Sequence, residues 1–207
     1  MHIPIYALVP LTSIQILTSP SGAPDINDAN FKKAALDTHN SDRAKHGVPG
    51  LVWDNTVAQF AQNWANNCEW KHSGGKYGEN MHGVWSTGPF DYLKSTRDGI
   101  HQGWYGEISK YDYNKPGFSM ATGHFTQVVW KSTKRVGCAW NQNVCKDKGK
   151  DFHKFVCSYD PPGNYGGKFP DNVPRPVKKA GLEVDEKEEE EEGELVEPVL
   201  SQFVIEI

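Results

Sequence analysis

Four isolated cysteines constrain this chain more than any other feature. Cys68, Cys138, Cys145 and Cys157 are the whole complement of a 207-residue sequence. No two of them stand as Cys-x-x-Cys, so the spacing of a zinc knuckle or a thioredoxin-type redox pair is missing. An even number of such cysteines in an exported chain points to two disulfides. Four cysteines allow three connectivities, and spacing alone does not choose among them. Any fold must bring two pairs of distant positions together.

The N-terminus agrees with export. Ile3 to Leu17 is largely apolar, and Ser19 to Ala23 offers small residues suited to cleavage, so residues 1–23 resemble a signal peptide. Two features depart from that pattern: no Lys or Arg follows Met1, and Pro4 and Pro10 interrupt the apolar region. No run of about 18 apolar residues occurs, so no transmembrane helix is expected. No Asn-x-Ser/Thr sequon is present.

Charge is segregated along the chain. The net charge of -4 conceals +5 between Asp28 and Arg175 and -8 from Pro176 to Ile207. The basic residues are scattered rather than arranged in a stripe, which gives nucleic-acid binding no support. The segment Glu183 to Glu197 holds a run of five Glu and too little apolar surface to fold alone. Residues 175–207 are therefore expected to be an acidic, largely disordered tail. Aromatic residues make up 12% of the chain, enough large rings for a core in the part before the tail.

Periodicity outlines that part. A first helix is predicted from Asn30 to Lys45, with Phe31, Ala34, Ala35 and Thr38 on one face, Asp28 near its start and Gly47 past its end. A second is stronger: Val57, Phe60, Ala61, Trp64, Ala65 and Cys68 form one wide apolar stripe, with Asp54 or Asn55 to cap it. His72 to Gly83 is glycine-rich and predicts a turn leading into a short strand near Gly78–His82. A third helix is expected from about Ser95 to Lys110, with Ile100, Trp104, Glu107, Ile108 and Tyr111 on one side. Glu107 is out of place among them.

After an aromatic loop and a short helix at Gly123–Trp130, Arg135–Asn141 and Phe152–Tyr159 predict a hairpin joined by the polar loop Gln142–Asp151. Cys138 and Cys157 sit one on each strand. They can bond if the register brings their Cβ atoms to about 3.8 Å, which leaves Cys68 for Cys145. Helices followed by an antiparallel hairpin predict an α+β domain.

Two segments carry a family resemblance. Gly123-His124-Phe125-Thr126-Gln127-Val128-Val129-Trp130 resembles the central signature of CAP domains, the group of cysteine-rich secretory proteins, antigen 5 and pathogenesis-related class-one proteins. Val156-Cys157-Ser158-Tyr159-Asp160-Pro161-Pro162-Gly163-Asn164-Tyr165 resembles the second signature. His72-Ser73 followed by Gly78-Glu79-Asn80 is similar to the family's first histidine and its Gly-Glu-Asn element, and His39-Asn40 with Arg43 to its opening helix. The similarity spans residues 29–174, in the family's order, and is nearest to the fungal and plant pathogenesis-related type. It implies a three-layer α-β-α sandwich with a small antiparallel sheet. It also supports the pairings Cys68–Cys145 and Cys138–Cys157.

The resemblance further implies a site. CAP domains place two His and two Glu in one open cleft, and the matching positions are His72, Glu79, Glu107 and His124. Glu107 would then look into a polar cleft. Such a cleft could hold Zn²⁺ or another divalent metal weakly through His72 and His124, or be a metal-free hydrogen-bonded tetrad. Fungal members are associated with binding sterols and fatty acids, through an aromatic loop before the Gly-His-Phe-Thr-Gln element. Here that loop offers Tyr111, Tyr113, Phe118 and Met120, with Tyr113 and Phe118 expected to face the ligand. If loop and cleft are independent sites, the tetrad need not take part in sterol binding.

The expectation is a secreted, extracellular lipid-binding protein. A secreted interaction module is the alternative. A metal-dependent hydrolase is disfavoured, since no His-Glu-x-x-His helix exists.

Overall fold

The computed structural model describes residues 21–177. Residues 1–20 of the expected signal peptide and residues 178–207 of the expected acidic tail lie outside the described residues. Among the described residues, no helix is long and apolar enough to cross a membrane.

One long strand organises the domain. Strand β5 (Lys150–Asp160) runs eleven residues and is buried over most of its length. Along one of its edges lies β2 (Gly78–Ser86), antiparallel, from Gly78 opposite Tyr159 to Ser86 opposite Asp151. Along the other edge lie β3 (Arg135–Trp140) and then β4 (Cys145–Asp147), both antiparallel to β5. A two-residue strand β1 (Val52–Trp53) adds in parallel to β3.

Alternation along β3 and β5 divides their side chains between two helical layers, because successive residues of a strand point to opposite faces. Val136, Cys138, Trp140, Phe155, Cys157 and Tyr159 belong to the larger core. They share it with residues of α1 (Ala29–Ala44) and of a third helix that begins at Tyr92. Ala139 and Val156 face the opposite way, onto Ala58, Ala61 and Ala65 of α2 (Asn55–Ala65). The result is the layered α+β architecture expected from the sequence.

Small residues set the approach of α2. A Cβ at Gly137 would stand 2.0 Å from the Ala58 backbone nitrogen. Only glycine lets helix backbone lie directly on that strand. The caps agree with the sequence: Asp28 accepts from Phe31 N, and Asp54 from Thr56 N and Val57 N. Each satisfies amides that the first helical turn leaves without partners.

Four details differ from the sequence expectation. The short strand near Gly78–His82 continues to Ser86, because its whole length pairs with β5. The polar stretch Gln142–Asp151 is not a loop throughout. Cys145–Asp147 pairs with Lys150–Phe152, and Lys148 and Gly149, both at positive φ, make the turn. The third helix starts at Tyr92, capped by Asp91, rather than at Ser95; we denote its α-helical part, Tyr92–Asp98, α3. Beyond it the backbone widens to π turns over Gly99–Trp104 and tightens to 3₁₀ turns over Tyr105–Lys110. Finally Phe60, placed in the core stripe by its spacing, is only half-buried and packs against Tyr77 at 5.1 Å.

Both disulfides form as the strand register allows. Cys138 and Cys157 are directly opposed in the ladder, with Cα atoms 4.0 Å apart. Cys68 and Cys145 have Cα atoms 5.6 Å apart across 77 residues of chain, and no cysteine remains free. Cys68 lies beyond α2, at a positive φ of 58°. Because the Cys68–Cys145 bond closes so long a loop, replacing both residues by alanine should lower stability by roughly 2–5 kcal/mol. Urea denaturation of the double variant checks this; a change under about 1 kcal/mol would contradict it.

Candidate functional site

Four elements carry the candidate residues, of which His72, Glu79 and His124 line one cleft and Glu107 stands behind His124. His72 comes from the loop after α2, and Glu79 from the second residue of β2. Glu107 lies in the 3₁₀ turns, and His124 in the first turn of helix α4 (Gly123–Val128). The structure pairs them. His72 Nδ1 lies 2.7 Å from Glu79 Oε1, and His124 Nδ1 lies 2.7 Å from Glu107 Oε1. A carboxylate only accepts, so each Nδ1 carries the hydrogen and each Nε2 is left for a ligand.

Glu107 does more than hold a ring. Its Oε2 accepts from the backbone amides of His124 at 3.0 Å and Phe125 at 3.1 Å. It therefore satisfies the first amides of α4 while orienting the histidine that α4 carries. That explains a glutamate on an otherwise apolar helix face.

The two pairs differ in exposure. The His72 side chain is 61% exposed and Glu79 only 6%. Burial pushes the Glu79 carboxyl up. Hydrogen bonds from His72 and Ser73 outweigh this and hold it below its ordinary value. The hydrogen bond to Glu79 raises His72 above its ordinary value, against an opposing effect of burial. Both shifts favour the charged pair.

A buried polar chain supports the cleft from beneath. Asn80 Nδ2 donates to the His124 carbonyl at 3.1 Å and to the Tyr159 hydroxyl at 3.3 Å. That hydroxyl meets His39 Nε2 at 2.8 Å, while His39 Nδ1 donates to the Ala35 carbonyl at 2.8 Å. On the far side Asn164 Nδ2 donates to the Gly123 carbonyl at 2.9 Å. Asn80 and Asn164 both line the cleft. Both fall inside the sequence elements that carry the family resemblance, where an asparagine beside a glutamate or a glycine was the available signal.

The aromatic loop is divided. Tyr111 is buried against Phe125, and Tyr113 is half-buried edge-on to Tyr111 at 4.8 Å, with Arg175 over its ring. Burial pushes the Tyr113 hydroxyl up to about 12. Tyr113, expected to face a ligand, packs its ring partly against Tyr111 and the core. Phe118 and Met120 stay 59% and 84% exposed. They form one wall of the same cleft, a cavity of about 500 Å³ whose other lining includes His72, Glu79, His124 and Asn164. Loop and cleft are thus contiguous.

The donor set has some features of a metal site and lacks others. Each histidine is oriented by a carboxylate on Nδ1, as ligating histidines usually are. Glu79 Oε2 is buried with no hydrogen-bond partner, an acceptor available to a cation or a donor. Among the described residues, however, no group of three or more His, Cys, Asp or Glu is gathered to hold an ion. The residues therefore do not make a closed four-ligand zinc site.

Three layers, two disulfides and a cleft of paired His and Glu define a recognised class of small layered domain. The family model for the cysteine-rich secretory protein family, CAP, matches residues 36–159, and the chain belongs to this family. Protein PRY2 of Saccharomyces cerevisiae is 42% identical over 150 residues, which cover 70% of this chain and 41% of that protein. Secreted protein RBT4 of Candida albicans is 42% identical over 163 residues, 73% of this chain and 41% of its own. Pathogenesis-related protein 1A of Nicotiana tabacum is 40% identical over 147 residues, 68% and 81% respectively. The chain thus spans under half the length of PRY2 and RBT4.

Among solved structures, Na-ASP-1 superposes with a TM-score of 0.54 at 28% identity, over 67% of this chain and 40% of that one. NaASP2, crystallised with Zn²⁺, superposes at 0.59 and 24% identity, over 76% and 92%, a likeness of fold.

Proposed function

We propose that this is an exported CAP-domain protein that binds sterols or other amphipathic lipids in the His/Glu cleft. The observation that carries the reading is the juxtaposition of Phe118 and Met120, both largely exposed, with the polar residues His72, Glu79 and His124 in one cavity. An amphipathic ligand matches both halves. Its flat apolar body would lie on Phe118 and Met120, gaining about 25 cal/mol per Å² removed from water. Its hydroxyl or carboxylate would meet the His Nε2 atoms. Export is supported by the two disulfides and by the relative RBT4, which is named a secreted protein.

His72 and His124 would hold a divalent ion such as Zn²⁺, whose chemistry in such a place is to polarise a ligand oxygen. The protein's own part is to present two oriented imidazoles, each held by a carboxylate, Glu79 or Glu107, on its Nδ1.

Binding of labelled cholesterol, ergosterol and a fatty acid, each with and without Zn²⁺, tests the reading. Phe118→Ala/Met120→Ala should weaken sterol binding about tenfold or more, because both side chains lose contact area. His72→Ala should weaken it several-fold, because its ring lines the same cavity. Tyr113→Phe should change it by less than about twofold. Unchanged affinity in the folded double variant eliminates the loop as the contact surface. Absence of any lipid binding by the wild-type chain favours the interaction-module alternative.

A further inference from the structure

The two disulfides differ in the features that govern attack by a thiol. Cys138 and Cys157 are both fully buried, opposed to each other on the central strands of the sheet. Cys145 is buried as well, but its partner Cys68 is exposed, past the end of α2. Which sulfur a thiol can reach decides where exchange begins. The second bond therefore offers one open sulfur, and the first offers none.

The backbone adds to this difference. Cys68 has a φ of 58°, in the left-handed region that residues other than Gly, Asn and Asp seldom adopt. Parting the sulfurs frees this residue to leave that conformation. Strained or exposed disulfides are the labile ones.

The buried sulfur is prepared to leave. Asn141 Nδ2 donates to Cys145 Sγ at 3.3 Å. The amide is itself fixed, because its Oδ1 accepts from Lys154 N at 2.7 Å. A donor held against a sulfur favours its thiolate form, and a thiol of lower pKa departs faster.

Non-covalent ties keep both partners in place once the bond opens. Asn143 Nδ2 donates to the Asn66 carbonyl at 2.9 Å, and Gln142 N to Asn66 Oδ1 at 2.8 Å. Lys154 Nζ donates to Asn67 Oδ1 at 2.8 Å. Cys145 keeps its ladder partner Phe152. Exchange at this bond thus needs no unfolding, and Cys145 stays near enough to reverse it.

We propose that Cys68 is a thiol-exchange site for low-molecular-weight thiols, with Asn141 as the donor to the leaving sulfur. The incoming thiolate attacks Cys68 Sγ and forms a mixed disulfide. The bond to Cys145 breaks, its electron pair goes to Cys145 Sγ, and that sulfur takes up the proton the incoming thiol has lost. The external thiol is oxidised as Cys145 is reduced, so no further oxidant is needed. The site does not depend on lipid binding at the cleft.

Reduced glutathione and free cysteine, each at millimolar concentration, test it on the native chain. Timed samples are quenched with acid and N-ethylmaleimide, and adducts are located by peptide mass spectrometry. The Cys68–Cys145 bond should open about tenfold or more faster than Cys138–Cys157, with the added thiol on Cys68 and maleimide on Cys145. Circular dichroism should stay native throughout. Asn141→Asp keeps the acceptor toward Lys154 N and removes the donor to sulfur, so the folded variant should exchange about threefold or more slowly. Mapping of the wild-type chain decides the site whether or not that variant folds. Opening of both bonds at one rate overturns the proposal. So does an adduct on Cys145 in place of Cys68, the absence of any adduct, or an unchanged rate in folded Asn141→Asp.

Discussion

Replacing Arg43 by methionine should destabilise the domain by roughly 3–5 kcal/mol, because buried backbone carbonyls lose the donors that now satisfy them. Arg43 is fully buried. Its Nη1 donates to the carbonyls of Val128 at 2.8 Å and Trp130 at 2.9 Å, its Nη2 to Thr133 at 3.2 Å, and its Nε to Pro49 at 2.8 Å. Burial lowers the guanidinium to about 10, which still leaves it charged at neutral pH. Methionine has similar length and no donor, so the carbonyls would be stranded in a dry interior.

Recovery of the energy of desolvating the charge offsets part of the loss, which is why the expected figure is well below the sum of four such bonds. For a domain of this size the melting temperature should fall by about 10 °C or more. The Val128 and Trp130 carbonyls end α4, so a folded remnant should also hold His124 less firmly. Thermal denaturation followed by circular dichroism measures the first effect. A shift under 3 °C would show that the carbonyls find other donors.

Acid should destabilise the protein well above the range in which ordinary carboxylates titrate. His39 is fully buried, and burial lowers its pKa from 6.5 to about 4. Between those values the unfolded chain binds a proton that the folded chain does not, so stability falls as pH falls through that window. The whole interval is worth on the order of 3 kcal/mol. His46, His82 and His153 are also lowered, in each case chiefly by burial, and act with the same sign. His72 acts oppositely, since its raised value adds stability below pH 6.5, but its side chain is mostly exposed and its contribution is correspondingly screened.

Urea midpoints at pH 7 and pH 4.5 test this directly. The wild type should lose most of the expected amount. His39→Gln should show a shallower dependence, whatever its stability at pH 7. Equal stability of the wild type at both values would mean that His39 titrates as though it were in water.

The strengths of these two effects come from one helix face that the sequence only half disclosed. Spacing placed Phe31 and Ala35 on the buried side of α1, and they are there. His39 and Arg43 lie on the same buried side, yet nothing in the periodicity says that a charged residue there will find four carbonyls. The carbonyls belong to residues 6 to 90 positions away. Only the packing of α1 against α4 creates that site. The same holds for Glu107. Its odd place among apolar residues signalled a special role, but the two backbone amides it accepts from became visible only in three dimensions.

Local chemistry determined a good deal without any tertiary information. Caps at Asp28 and Asp54, the apolar stripe of α2 and the placing of Cys138 and Cys157 on paired strands all rest on near neighbours, whereas the four cleft residues came only from the family resemblance. Such signals survive in sequence because a cap or a period acts within a few residues of itself. What the tertiary structure alone decided is direction. Tyr113 and Phe118 are both aromatic residues of one loop, five positions apart. Tyr113 turns onto Tyr111, while Phe118 turns toward the cleft. Trp70 and Trp140 are likewise the same residue type, one half-exposed on the sheet end and one fully buried. Burial of a large ring depends on which surface the rest of the chain happens to bring to it, and that surface is assembled from residues far away in sequence.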